Sequence, residues 1–187
     1  IVAVTDPGSA LEQRAATQGF RAVLSGVPEI GGRFSALSNF GLLPAGLAGV
    51  DLGKYLDRAK EMSSACREED ENPGVLLGAA LGAALANGRD KVTLVVSPQL
   101  WDIGAWVEQL VAESTGKGGT GLCPTDREPV LSPEQYGDDR VFVYLRLETG
   151  ADIEQDRLVA KLSDAGHPTD TLRLTDVYDL GAEFFRW

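Results

Sequence analysis

Histidine, cysteine and methionine are scarce in this chain of 187 residues, which holds one histidine, two cysteines and one methionine. The cysteines, Cys66 and Cys123, provide neither a disulfide framework nor the spacing of a zinc site. Reduced thiols fit a cytoplasmic protein, which is the location we expect. No apolar run is long enough to span a membrane and no stretch has the pattern of a signal peptide, so we expect no membrane partner.

Basic residues are also fewer than acidic ones. Seventeen Lys and Arg residues face 28 Asp and Glu residues, which gives a net charge of −11. Nucleic acid and anionic membranes are therefore poor partners, although a few local donors are enough to bind a phosphorylated small molecule. The hydrophobic share of 43% and the charged share of 24% are those of a globular protein, and the length suits one medium-sized domain with a real core.

Short apolar strands alternate with helices along the chain. A strand over 1–5, a helix over 10–18 and a strand over 20–24 predict one βαβ unit with parallel strands. Further strands are predicted over 91–96, 141–147 and 171–174. Helices are predicted from the Gly31–Gly32 pair to about residue 50, and over 51–71, 75–86, 100–114, 152–165 and from 176 onward; residues 121–139 are predicted to form a long connection. This order favours a three-layer αβα sandwich with a mostly parallel sheet.

The ends of the chain indicate a piece of a longer protein. The first residues form a strand with no preceding Met, and the last residue, Trp187, falls inside an apparent amphipathic helix. The one candidate boundary separates residues 1–30 from residues 31–187.

The segment 106–117 combines an amphipathic helix with a loop rich in glycine and lysine. Gln109 and Glu113 are four residues apart and share one helix face. A carboxylate near the C-terminus of a helix meets the negative end of the helix dipole, which disfavours its charged form. Glu113 is therefore a candidate proton-transferring base, and the alternative is an ordinary solvated side chain.

A second candidate region is Gly31-Gly32-Arg33-Phe34-Ser35. Paired glycines allow a ligand to approach the backbone closely, and Arg33 offers a planar set of donors to a phosphate or an oxyanion. The alternative is a solvated loop arginine. Because this region and the helix that ends in Glu113 each follow a strand, we expect both to lie beyond the carboxyl ends of strands, where such sheets bind ligands.

Taken together, these segments resemble a known family. Residues 31–38, Gly41 to Pro44 and residues 109–117 are similar to glucose-6-phosphate isomerase, and most similar to the branch that includes bifunctional transaldolase/phosphoglucose isomerases. The resemblance covers nearly the whole chain. It implies the sugar isomerase (SIS) fold, with the end of a first SIS subdomain in residues 1–30 and a C-terminally truncated second one in 31–187.

The resemblance also implies roles for individual residues. Glu113 matches the base that moves a proton between C1 and C2 of the sugar through a cis-enediol, and Arg33 matches the arginine that stabilises the negative intermediate. Gln109 matches an active-site glutamine, while Gly32, Ser114 and Lys117 match substrate-binding surroundings. The implied reaction interconverts glucose 6-phosphate and fructose 6-phosphate without a metal or cofactor.

The sequence departs from the family at several points. The phosphate-binding loop is expected upstream of Ile1 and a C-terminal lysine beyond Trp187, so we expect the fragment alone to be inactive. The histidine linked to ring opening has no counterpart, because His167 lies in a Gly-His-Pro turn and is interpreted as a surface residue.

Two other functions are weighed against the isomerase. A non-catalytic SIS module would bind a phosphosugar without needing Glu113 and Arg33 together. A nucleotide-binding domain is disfavoured, because no G-x-G-x-x-G follows the first strand. The apolar helix over 75–86 suits a homodimer contact, as the family implies.

Overall fold

A computed structural model describes residues 1–129 and 131–187. The chain forms two compact units, Ile1–Asp57 and Arg58–Trp187, and each is described by itself. The division into SIS subdomains at residues 30 and 31 stays a prediction, because compactness alone does not identify a subdomain.

The first unit contains the predicted βαβ motif. Strands β1 (Val2–Thr5) and β2 (Ala22–Ser25) pair in parallel on either side of helix α1 (Ala10–Thr17). Ser9 begins α1 by accepting a hydrogen bond from the backbone N–H of Glu12, as a serine does at a helix N-cap. The parallel pairing confirms this part of the prediction.

The glycine-rich helix expected up to residue 50 is instead divided in two. A 3₁₀ helix spans Gly32–Leu37 and an α-helix, α2, spans Asn39–Leu47. Ser38 separates them in an extended conformation, with its side chain accepting from the backbone N–H of Phe40. A serine competes well for this N-cap position, so one predicted helix becomes two shorter ones.

The next two helices meet at a charged turn. Helix α3 spans Leu52–Ala65, shorter than predicted, and α4 spans Pro73–Ala86. Glu71 adopts a left-handed φ of 54°, and Asn72 then caps α4 by accepting from the N–H groups of Gly74 and Val75. The acidic residues 68–71 at this turn are exposed to solvent.

The second unit is built on a four-stranded parallel sheet in the order β4-β3-β5-β6. Its strands are β3 (Lys91–Val96), β4 (Cys123–Thr125), β5 (Arg140–Leu147) and β6 (Thr169–Leu174), and its further helices are α5 (Ile103–Thr115), α6 (Ile153–Asp164) and α7 (Leu180–Arg186). Strand β4 was missed by sequence reasoning, because three residues that include Pro124 carry too little periodicity to stand out from a connection.

Helices cover both faces of this sheet. Alternate residues of β3 and β5, such as Leu94 and Val143, pack with α4 and α5, while Val95 and Tyr144 on the opposite face pack against Val159 of α6. The predicted three-layer α/β arrangement is confirmed. Among the described residues, every helix is too short or too polar to cross a membrane.

Candidate active site

Helix α5 determines where Glu113 lies. The helix follows β3 and has 13 residues, so it runs about 20 Å back across the sheet. Its last turn therefore lies near the amino ends of the strands, where Cys123 at the start of β4 pairs with Lys91 at the start of β3. The expectation that Glu113 lies beyond the carboxyl ends of strands is wrong, because the helix is long enough to carry it to the opposite edge.

Gln109 and Glu113 meet on the exposed side of α5. The Nε2 of Gln109 donates a hydrogen bond to Oε1 of Glu113 over 3.3 Å. The opposite side of the helix is anchored in the core by Val107, Leu110 and Val111. The helix thus presents an amide and a carboxylate side by side, with a buried face that fixes their direction.

Lys117 reaches back to the same helix end. Its Nζ donates to the backbone carbonyl of Glu113 over 3.3 Å, which satisfies one of the acceptors left open at a helix C-terminus. A cation is also favoured there by the helix dipole. Lys117 and Ser114 are exposed, and together with Glu113 they form one polar surface at the end of α5.

The loop after α5, rich in glycine and lysine, is a tight hairpin. Lys117 and Thr120 exchange two backbone hydrogen bonds, and the residues between them, Gly118 and Gly119, have φ values of 65° and 79°. Two successive positive φ values define the hairpin turn that glycine favours. The loop therefore holds Lys117 at a fixed distance from the helix end.

Thr115 links this hairpin to the helix. Its Oγ1 donates to the carbonyl of Val111 over 2.8 Å and accepts from the backbone N–H of Leu122 over 3.1 Å. Because its hydroxyl bridges α5 and the residue before β4, Thr115 is a positioning residue for the loop.

The second candidate region lies in the first unit. Arg33 is half-buried within the 3₁₀ helix, and its guanidinium carbon lies 4.7 Å from the centre of the Phe34 ring. Ser35 donates from Oγ to the carbonyl of Gly32 over 2.7 Å, which holds the turn that carries Arg33. The side chain of Asn39 ties the region to the carboxyl end of β2 by donating to the carbonyl of Ser25.

The glycines before Arg33 are not required by the fold of this region. Gly31 has a φ of −64° and neither it nor Gly32 adopts a left-handed conformation. A Cβ added to Gly32 would meet no atom within 4 Å, whereas one added to Gly41 would lie 2.1 Å from the carbonyl oxygen of Ala36. Packing therefore explains Gly41 but not Gly32.

The structure groups the predicted site residues by unit. Gln109, Glu113, Ser114 and Lys117 come together at the end of α5 in the second unit, and Gly32 and Arg33 are neighbours in the first. No group of three or more metal-ligating side chains occurs within residues 1–129 and 131–187.

His167 is more buried than the sequence indicated. It does lie in a turn, but its ring packs edge-on against Phe142 and Tyr136, and its Nε2 lies 3.0 Å from the carbonyl oxygen of Pro133. These contacts give it a structural role between β6 and the segment before β5. The interpretation as a surface residue is corrected to a half-buried one.

Glu183 is a titratable group that sequence reasoning missed. Its side chain is 1% exposed in α7, and burial raises its pKa to about 7 although Arg186 lies 3.2 Å away. Within the described residues its Oε2 has no hydrogen-bond partner. The signal that could have revealed it is a glutamate within the apolar helical segment Gly-Ala-Glu-Phe-Phe. Such a glutamate either is buried with its apolar neighbours or lies on a polar face of the helix.

The fold and the polar helix end define an α/β protein with a parallel sheet and a carboxylate–amide pair at the end of a helix. The chain is 34% identical over 176 residues to glucose-6-phosphate isomerase of Rubrobacter xylanophilus, an alignment covering 90% of this chain and 38% of that protein. It is 41% identical over 121 residues to the same enzyme of Thermosynechococcus vestitus, covering 62% of this chain and 23% of the relative.

A third relative matches a shorter part of the chain. The probable glucose-6-phosphate isomerase of Methanococcus maripaludis is 41% identical over 104 residues, which cover 52% of this chain and 23% of the relative. No protein-family model matches the chain. These relatives confirm the resemblance seen in the residues: over the segment that it spans, the chain is similar to glucose-6-phosphate isomerases. It spans well under half the length of each of these relatives.

Proposed function

We propose that the full-length protein is an aldose–ketose isomerase that interconverts glucose 6-phosphate and fructose 6-phosphate, and that this chain supplies its proton-transferring base. The observation that carries the proposal is the Gln109–Glu113 pair on the last turn of α5, within a segment homologous to glucose-6-phosphate isomerases. The proposed substrate and reaction are those of these relatives, which are glucose-6-phosphate isomerases.

In the proposed reaction the carboxylate of Glu113 takes the proton from C2 of the open-chain aldose. The electron pair of the C–H bond forms the C1–C2 double bond of a cis-enediolate, and the negative charge moves to the carbonyl oxygen. A proton then moves from the C2 hydroxyl to O1, so that the negative charge lies on O2. Return of the Glu113 proton to C1, as the C2 carbonyl forms, gives the ketose. A base held at fixed geometry and a positive group at the developing charge are what this step requires.

Arg33 is proposed to stabilise the negative intermediate. A guanidinium stays charged at every physiological pH and presents several N–H donors in one plane, which suits an enediolate oxygen. The contact with Phe34 and the turn held by Ser35 restrict the rotamers of Arg33 before the substrate binds. Less side-chain entropy is therefore lost on binding. Its role rests on this chemistry and on the residue match to the family.

Gln109, Ser114, Lys117 and Gly32 are proposed to bind the substrate. Gln109 holds the Glu113 carboxylate from one side, and Lys117 places a positive charge at the same helix end. Gly32 leaves room for a ligand beside the Arg33 backbone, because a Cβ at this position would occupy open space. Each of these residues is polar or small, as recognition of a sugar phosphate demands.

The wider setting is proposed from the family. The two segments 1–30 and 31–187 are the end of one SIS subdomain and most of a second, and the remainder of the active site comes from other parts of the full-length chain. A homodimer, a cytoplasmic location and a place in glycolysis and gluconeogenesis go with this assignment.

The deciding experiment is steady-state conversion of fructose 6-phosphate to glucose 6-phosphate by the full-length protein, wild type against Glu113→Gln. We expect kcat to fall by three or more orders of magnitude while the substrate still binds, because the amide is isosteric with the carboxylate but cannot accept the proton. Glu69→Gln, the same change at an exposed glutamate in the acidic turn before α4, serves as the matched control.

Two results would overturn the proposal. Equal rates for the wild type and Glu113→Gln would remove Glu113 from the chemistry. A wild type that binds the phosphosugar but does not turn it over would instead establish the non-catalytic SIS module.

A further inference from the structure

A groove runs along the face of β3 on the α6 side of the sheet. Its volume is about 350 Å³, within the range of small-molecule sites. The floor is formed by Val95 and by Phe142 of β5, and one wall by Leu158 of α6. The groove is distinct from the candidate active site, because Glu113 belongs to α5, which packs on the opposite face of the sheet.

The topology of the sheet explains why the groove is open. The chain passes from β3 to its neighbour β4 and then crosses to β5 on the other side, so the direction of strand order reverses at β3. In the described part of the connection from β4 to β5, the only helical segment is a 3₁₀ turn, Pro133–Gln135. An α-helix in this connection would cover the groove, and the short turn leaves it open. Reversal points of this kind are where open α/β sheets bind ligands.

One wall of the groove carries a buried acceptor. Gln155 donates from Nε2 to the carbonyl of Val96 at the carboxyl end of β3, over 2.8 Å. This bond fixes the orientation of the amide, because only the nitrogen can donate to a carbonyl. Its Oε1 is buried and has no hydrogen-bond partner among the described residues. A donor entering the groove would satisfy it and remove the cost of an unfilled acceptor.

The opposite wall carries an indole and carboxylates. Trp101 is half-exposed and lines the groove, with the guanidinium carbon of Arg127 lying 5.0 Å from the centre of its ring. Asp126 and Glu128 line the same wall, and their side chains are 7% and 17% exposed. Burial raises the pKa of Asp126 from its ordinary value.

The charges of the groove are balanced within its own walls. Arg127 binds Asp102 over 2.7 Å and Asp126 over 3.2 Å. Arg140 donates to Glu128 over 2.7 Å and to the hydroxyl of Thr93 over 2.9 Å. Arg127, which lines the groove, and Arg140, which binds the lining residue Glu128, are therefore each neutralised by carboxylates. An anionic ligand would meet these carboxylates, whereas a ligand rich in O–H donors finds acceptors on both walls.

We propose that this groove is a second small-molecule site, which binds a neutral, hydroxyl-rich ligand of about the size of a hexose. The ligand places its C–H face on the indole of Trp101 and donates hydroxyl groups to Gln155 and to the carboxylates of the facing wall. The proposal goes beyond the isomerase function and does not depend on it, since none of these residues is assigned to the isomerase reaction.

The test measures the binding of D-glucose to the chain by saturation-transfer NMR and by calorimetry. We expect millimolar binding that Gln155→Leu and Trp101→Ala each weaken by about tenfold, equivalent to about 1.4 kcal/mol. Gln18→Leu, a matched change at an exposed position of the first unit, leaves the affinity unchanged. Glucose 6-phosphate is expected to displace glucose poorly, because its phosphate meets the carboxylate wall.

Three outcomes would overturn the proposal. The first is an absence of glucose binding to a folded chain. The second is binding that neither Trp101→Ala nor Gln155→Leu affects. The third is binding that glucose 6-phosphate competes away and that Glu113→Gln abolishes, which would place the sugar at the end of α5. Because Trp101 is half-exposed, its substitution tests the site even if Gln155→Leu disturbs the packing of α6.

Discussion

Gln109 donates a hydrogen bond to the carboxylate of Glu113 one turn further along α5, with 3.3 Å between Nε2 and Oε1. The pair follows from helical spacing, since residues four apart lie one above the other on the same face. Its direction also matters, because an amide that donates to a carboxylate holds that carboxylate in one rotamer. Glu113 is thereby oriented at a helix end that Lys117 and Thr115 hold from the other side.

Substituting Gln109 is expected to affect chemistry more than stability. In the full-length protein Gln109→Ala should lower kcat for fructose 6-phosphate about tenfold, since a base without its orienting partner samples unproductive rotamers. The residue is exposed, so the free energy of unfolding should change by less than about 0.5 kcal/mol. Steady-state kinetics and urea denaturation of the same preparations separate the two effects. A loss of activity that merely tracks a loss of stability would contradict the orienting role.

Gly32 offers a test of ligand approach in the first unit. A Cβ at this position meets no atom within 4 Å, and its φ is not left-handed, so Gly32→Ala should fold as well as the wild type. We expect KM for fructose 6-phosphate to rise at least about threefold in the full-length protein, because the methyl group occupies space kept for the substrate. An unchanged KM in a fully folded variant would show that the position serves no ligand.

Gly104 is required by packing rather than by conformation. A Cβ added there would lie 2.0 Å from Oδ1 of Asp126, so Asp126 would have to leave its position against α5. Gly104→Ala should therefore destabilise the chain by about 1–3 kcal/mol despite the better helix propensity of alanine. The matched control is Gly82→Ala in α4, where nothing lies within 4 Å of the new Cβ and propensity predicts a gain of up to about 1 kcal/mol. Urea denaturation of the two variants should give opposite signs.

Glu183 should make stability fall as pH rises through neutrality. Burial raises its pKa from 4.5 to about 7, so between these values the folded state holds a proton that the unfolded state has released. Its contribution is fully present below pH 4.5 and is lost as pH rises through about 7. The total loss is on the order of 3 kcal/mol. The carboxylates whose pKa is lowered, such as Asp139 and Glu148, lose their contribution only in more acidic solution.

The measurement is the free energy of unfolding in urea of the wild type and Glu183→Gln, at a series of pH values between about pH 5 and about pH 8. The glutamine mimics the protonated acid, so the difference between the two proteins should grow in favour of the variant up to about pH 7 and level off above it. Parallel stability curves across this range would show that Glu183 carries no proton in the folded state.

The sequence predicted the fold through its strongest local patterns. Strand β3, with its continuous apolar run, was located without error, and the parallel pairing of β1 and β2 followed from a strand–helix–strand segment too short for another topology. Strand β4 escaped because three residues provide no measurable period. Helix α3 is shorter than predicted, because the chain turns at Glu71 and Asn72 caps the N-terminus of the next helix.

Part of the candidate site was also predicted from the sequence, and part was not. Helical spacing was enough to place Gln109 and Glu113 on one face, and the family resemblance of the residues is confirmed by relatives at 34% and 41% identity. The edge of the sheet at which Glu113 lies was predicted wrongly, because it depends on how far α5 travels before the chain turns. The bridging role of Thr115 was also invisible, since its two partners are 11 residues apart, at Val111 and Leu122.

The sequence by itself determined the alternation of strands and helices, the shared face of Gln109 and Glu113, and the similarity to glucose-6-phosphate isomerases. These properties depend on local spacing and on residue identity, which the chain carries at every point. Only the tertiary structure decided the burial of Glu183, the open groove beside Gln155 and the edge of the sheet occupied by Glu113. Each of these depends on contacts between residues distant in sequence, and such contacts exist only once the sheet and its helices have packed.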